Sequence, residues 1–123
     1  MSLSQEQAAF LLDACKLIQH ATEEGWMVTG GELARTPEQQ AIYVKTGRSK
    51  TLNSIHLKRC AIDLNFFREG KIIWDKQMLA PLGAYWESLN KANSWGGNGV
   101  TLVDTPHFSR GPDGKPEFKR VAG

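Results

Sequence analysis

The residues of this chain that could carry chemistry are its three histidines and a few well-spaced carboxylates. His56 and Asp63 stand seven apart in "SIHLKRCAIDLNFF", and Asp104 and His107 stand three apart in "DTPHFS". Asp63 interrupts an apolar run of β type, where an uncompensated carboxylate is costly. Alternation along 60–67 puts Ile62, Leu64 and Phe66 on the core side, and Ala61, Asp63, Asn65 and Phe67 on the other. Pro106 disfavours a helix through 104–107, so the segment is extended or turned and His107 shares a face with Ser109. Singly, each residue has an ordinary explanation: a wet edge strand for Asp63, an exposed basic loop for His56, a capped turn for Asp104 and His107. Jointly, His56, Asp63 and His107 make a minimal three-ligand zinc set that leaves a fourth position for water. Zinc lowers the pKa of that water to about 7, and Asp104 is the natural general base beside it. His20, late in the first helical segment, reads as structural, because a cation suits the end of a helix dipole.

The elements that must position these residues follow from periodicity and punctuation. Ser4 with Gln7 reads as a capping box opening a helix whose apolar stripe is Ala8, Leu11, Leu12, Cys15 and Ile18, closed by Gly25. "WMVTGG" is a short strand running into a glycine turn. "RTPEQQAIYVKTG" is a second helix, with Thr36 as cap, Pro37 at the first helical position, Gln39 completing a box and Gly47 at the end. "RSKTLNS" is a polar loop, and "CAIDLNFF" and "KIIW" flank "REG" as a β-hairpin. Leu79, Leu82, Trp86 and Leu89 mark a third helix, and "GGNGV" is a glycine-rich turn before "TLVDTPHFS". The expected fold class is α+β, a small antiparallel sheet with helices packed on one face. Residues 1–123 read as a single domain, with 110–123 as a polar tail.

Composition narrows the function classes. The chain has 123 residues and four tryptophans, enough for one domain with a real core. A net charge of +2 argues against a polycation built for nucleic acid. No apolar run approaches the roughly 20 residues of a membrane span. The N-terminus lacks a basic leader and carries Glu6 and Asp13, so synthesis in the cytoplasm without a signal peptide is expected. Cys15 and Cys60 both read as core-facing, buried free thiols. A metal-dependent nuclease, cued by the basic "KTGRSK", is disfavoured by the lack of paired acids for two metals. A non-catalytic binding module on the same fold is disfavoured by Asp104, since a structural site has no use for a base.

His-x6-Asp followed by acid-x-x-His, here "SIHLKRCAIDL" and "DTPHF", resembles the zinc peptidases that act on peptidoglycan stem peptides. These are the D-alanyl-D-alanine carboxypeptidases, dipeptidases and phage L-alanyl-D-glutamate endopeptidases. The resemblance runs over residues 26–109. It implies a hedgehog-like or D,D-peptidase-like fold, zinc on His56, Asp63 and His107, and Asp104 as base. It also implies an arginine upstream that faces substrate or oxyanion. Arg35 in "RTPEQQ" matches, with Gln39 a helical turn on and Ser54 beside the first ligand as further substrate-contacting or ligand-orienting groups; Asn65 is a weaker candidate. An aspartate base, where many carboxypeptidases carry glutamate, sides with the phage endopeptidases. The implied partner is the stem peptide, cut by a monomer made in the cytoplasm and reaching the wall once the membrane is permeabilised.

Overall fold

The computed structural model describes residues 1–49, 54–100 and 102–120. Parts of the expected "RSKTLNS" loop, Thr101 and the last three residues of the expected tail lie outside the described residues.

Helix α1 (Leu3–Glu23) opens two residues before the expected cap. "SLSQEQ" holds two overlapping Ser-x-x-Gln pairs, and the first is used: Gln5 N donates to Ser2 Oγ at 3.2 Å, and Ser2 N donates to Gln5 Oε1 at 2.8 Å. Gln7 is engaged elsewhere, donating to the Lys58 carbonyl at 2.9 Å. The buried stripe is also rotated by about one residue from the expected one. It runs through Glu6, Phe10, Asp13, Ala14, Leu17 and Ala21, while Leu11, Leu12 and Cys15 face solvent. Cys15 is therefore not a core thiol; Cys60 is, and burial raises its pKa. The apolar periodicity misled because two stripe positions are acids with buried partners. Arg110 Nε donates to Glu6 Oε2 at 2.7 Å, and Asn93 Nδ2 donates to Asp13 Oδ2 at 3.1 Å.

The remaining elements are β1 (Met27–Gly30), α2 (Pro37–Lys45), β2 (Ala61–Arg68), β3 (Lys71–Ile73), α3 (Lys76–Leu89), β4 (Asn93–Trp95) and β5 (His107–Arg110). Thr36 caps α2 by accepting from Gln39 N at 3.1 Å, with Pro37 first in the helix. Asp75 caps α3 through Gln77 N and Met78 N. The sheet is antiparallel in the order β1-β2-β5-β4, with β3 also on β2. Glu69 and Gly70, at φ 54° and 76°, make the two-residue β2–β3 turn, whose twist matches that of the strands.

Helices α1 and α3 pack on each other and on the sheet around one apolar cluster. A run of edge-to-face aromatics passes from Phe10 through Trp86 and Phe108 to Phe66 and Trp26, with centroids 5.6 to 6.1 Å apart. Trp86 Nε1 reaches the carbonyls of Ser94 and Ser109, tying α3 to β4 and β5. Three tryptophans serve the core; Trp74 does not and is 53% exposed. Beneath β5 the floor is therefore rigid, and His107 is its first residue.

Candidate metal centre

His56 lies in a single 3-10 turn (Ile55–Lys58) capped by Ser54, whose Oγ accepts from His56 N at 3.2 Å. It is 1% exposed, so it is not a surface-loop histidine. Arg59, in the left-handed region, ends the turn and turns the chain into β2. On the sheet, Asp63 of β2 and His107 of β5 are direct cross-strand partners, so strand register alone brings the second and third residues together.

The three side chains converge. His56 Nε2 is 3.2 Å from His107 Nδ1 and 3.4 Å from Asp63 Oδ1, and His107 Nδ1 is 3.5 Å from the same oxygen. Ligands 2.0–2.1 Å from a tetrahedral ion stand about 3.4 Å apart, so this triangle has the size of one tetrahedral face. Among the described residues it is the cluster of three metal-ligating side chains close enough to share one ion. Asp63 Oδ1 is buried without a hydrogen-bond partner, a state with a physical reason if a cation is meant to sit against it.

The far side of each ring selects the tautomer. His56 Nδ1 lies 3.0 Å from the Leu33 carbonyl and so carries the proton there, turning the Nε2 lone pair to the centre. His107 Nε2 lies 2.7 Å from Glu117 Oε1 and donates to it, which turns Nδ1 inward. Glu117 is a member of the segment read as a polar tail. That segment folds back: Phe118 stands edge-on to His107 at 5.5 Å and its N–H donates to Ser94 Oγ, while Arg120 donates to the Glu87 and Lys91 carbonyls. No spacing rule pointed to Glu117, because its link to His107 is purely tertiary.

The electrostatics of the cluster favour positive charge at its centre. Burial on its own would raise Asp63, but the two imidazoles outweigh it and hold its carboxyl well below the usual range. Burial would lower His107, yet Asp63 and Glu117 together push it up to about 10. Burial raises Asp104; His107 works against that and Asp63 adds to it.

Asp104 is not one of the three clustered ligands but borders the cavities beside them. The turn that carries it is pinned by Asp104 N on the Gly96 carbonyl (2.9 Å) and His107 N on the Asp104 carbonyl (3.2 Å). A Cβ at position 96 would lie 2.4 Å from that same Asp104 oxygen, so only glycine allows this approach. A cavity of about 200 Å³ opens here, lined by Arg35, Ser54, His56, Asp104 and His107 among others.

Arg35 is held by an ion pair from Nε to Glu32, and by Nη1 on Gln40 Oε1 at 2.6 Å and Ser54 Oγ at 3.3 Å. The glutamine in contact with Arg35 is thus Gln40, which is fully buried. Gln39 is half-buried and gives its backbone N–H to the Thr36 cap. Glu32, Gln40 and Tyr43, whose hydroxyl donates to Glu32 Oε2 at 2.8 Å, were not singled out by the sequence reading. His20 stacks on Tyr85 at 3.8 Å, away from the cluster.

A peptidase family model described as D-alanyl-D-alanine carboxypeptidase matches residues 47–110, just over half of the chain and including both histidine motifs. The chain belongs to this peptidase family. A curated relative, the L-alanyl-D-glutamate peptidase of Listeria phage A118, is 34% identical over 77% of this chain. The family member described here spans about a third (34%) of that relative's length. Among solved structures, the Serratia marcescens L-Ala D-Glu endopeptidase ChiX superposes with a TM-score of 0.66 at 25% identity, covering 88% of this chain and 85% of that one. The mixed α+β architecture is thus shared with a peptidase. No helix among the described residues is long and apolar enough to cross a membrane.

Proposed function

We propose that this chain is a zinc-dependent peptidase that hydrolyses the L-alanyl-D-glutamate bond of the peptidoglycan stem peptide, in the manner of a phage lysis enzyme. The observation that carries the reading is the triangle of buried His56, half-buried Asp63 and buried His107, with a further carboxylate, Asp104, beside an open cavity. His56 Nε2, Asp63 Oδ1 and His107 Nδ1 would hold the ion: two imidazoles and a carboxylate suit zinc. Bound there, zinc supplies Lewis acidity toward a carbonyl and acidifies water to about pKa 7.

The chain's own groups do the rest. Asp104 accepts the proton of the attacking water and delivers it to the leaving amine, a task helped by the upward push that burial gives its pKa. Arg35 donates to the oxygen on which charge develops. Its clamp of Glu32, Gln40 and Ser54 fixes the guanidinium before substrate arrives, which is what makes such a donor effective. Arg35→Ala is expected to lower kcat by about 10²–10³-fold while metal content stays at one ion per chain. Glu117→Gln keeps the size of the side chain but weakens its hold on His107 Nε2–H. It is expected to reduce zinc affinity by about 10- to 100-fold, read by competition with a chromophoric chelator.

A second reading, hydrolysis of the terminal D-alanyl-D-alanine bond, is favoured by the description of the matching family model. Mass spectrometry of fragments released from purified peptidoglycan separates the two. New L-alanine C-termini and D-glutamate N-termini support the endopeptidase, free D-alanine supports the carboxypeptidase, and release that persists with chelator present defeats both. The reading takes the enzyme as a monomer with no nucleic-acid partner that reaches the wall after membrane permeabilisation.

A further inference from the structure

Two guanidinium groups lie over the Tyr43 ring, Arg35 at 4.7 Å and Arg48 at 4.4 Å from its centroid. Their states differ. Arg35 is neutralised by Glu32 and tied to Gln40 and Ser54, and Glu32's other oxygen holds the Tyr43 hydroxyl. Arg48 is exposed, and its backbone N–H is fixed on the Tyr43 carbonyl at 2.8 Å. Among the described residues its guanidinium makes no ion pair and no hydrogen bond. A place over the ring face leaves its N–H groups available, and arginine takes a carboxylate two-pronged through such groups.

Arg48 also lines both cavities beside the candidate centre. It borders the cavity of about 200 Å³ that holds His56 and His107, and the adjoining one of about 390 Å³ that holds Asp63 and Trp74. Asp104 borders both as well. An acidic residue on the leaving-amine side of the scissile bond would be brought close to this half-buried carboxylate and repelled. A cation with no carboxylate of its own among the described residues, on the rim of the same two cavities, offsets that repulsion.

We propose that Arg48 is a specificity residue that binds the free carboxylate of the D-glutamyl residue supplying the leaving amine. The inference rests on the endopeptidase reading and divides the labour of the two arginines: Arg35 serves the reacting carbonyl, Arg48 the acid next to it. Selection for the acid over its uncharged amide follows.

Two synthetic stem peptides test this, one with D-glutamate and one with the same carboxylate converted to the amide, D-isoglutamine. Each is assayed with the zinc-loaded wild type, R48Q and R48K. The wild type is expected to favour the acid; R48Q is expected to lose about 10- to 100-fold in kcat/KM on the acid and about 2-fold or less on the amide. R48K, which keeps charge but not the fork, falls between. Equal wild-type rates on the two peptides, or equal losses on both with R48Q, would overturn the role of Arg48 while leaving the endopeptidase reading intact. Cleavage by the wild type only at a terminal D-alanyl-D-alanine bond would overturn both. Because the acid-versus-amide preference is read on the wild type, the proposal can fail even if a variant does not fold.

Discussion

Asp104→Asn is expected to cut turnover by about 10²–10⁴-fold and to leave the metal in place. Asparagine keeps the shape of the side chain and removes its capacity to accept a proton. Nothing in the three-ligand triangle depends on Asp104, so metal content measured by elemental analysis should stay at one ion per chain. The pH profile adds an independent check. Asp104 must be ionised to act as base, so activity should fall as pH drops through its pKa. Burial pushes the Asp104 pKa, and with it that acidic limb, upward. In the asparagine variant the limb should vanish from the residual rate. Loss of the ion in this variant would instead make Asp104 a ligand and require another base.

Stripping the ion with a chelator, or replacing Asp63 by asparagine, should abolish hydrolysis and lower the melting temperature together. An ion present at about 1,000 times its Kd adds about 4 kcal/mol to folding, worth on the order of 10–20 °C in a domain of this size. The pH dependence has a definite sign. Without metal, His107 is an imidazolium with its pKa pushed up to about 10, sandwiched between Asp63 and Glu117. At neutral pH an incoming ion must displace that proton, so affinity should fall as the pH drops. Folding of the metal-free protein follows the converse rule. The raised His107 contributes fully below its unfolded pKa of about 6.5 and is lost as pH rises through about 10. The lowered Asp63 and Glu117 contribute above the ordinary carboxylate range and are lost as pH falls below it. Stabilisation by added zinc should accordingly be larger at pH 9 than at pH 6.5, measurable by thermal melts at both. Chelated protein that retains full activity would remove the metal from the mechanism.

What could be read in the linear chain was whatever local rules govern. The strand alternation around Asp63, the Pro37 and Thr36 start of α2 and the β2–β3 hairpin are each set by neighbours a few residues apart, and each was legible. The gathering of His56, Asp63 and His107 was legible because they sit on two short motifs, and strand pairing then sets Asp63 opposite His107. Where tertiary contacts decide, the reading slipped. The buried face of α1 was assigned from apolar residues alone, whereas Glu6 and Asp13 belong to it through Arg110 and Asn93, about 80 or more residues away. That Gln40 rather than Gln39 touches Arg35 has no local signal, because the direction of a side chain on a nine-residue helix depends on what that helix packs against. Glu117 lies ten residues past His107 and after the last strand, so no periodicity connects them.

The geometry of the ligand triad also bears on the chain as a polymer. His56 and His107 are 51 positions apart, and the two cysteines, one buried and one exposed, are both free. An ion joining those histidines closes a long loop of the unfolded chain, the service that a disulfide renders in secreted domains. For a loop of this length the entropic gain in the cross-link model is about 4 kcal/mol. Unlike a disulfide, this tie is indifferent to a reducing environment and opens on chelation or in acid. The catalytic ion would thus double as a reversible cross-link, so that a molecule that has lost its activity has also lost its clasp and becomes the easier substrate for proteolysis.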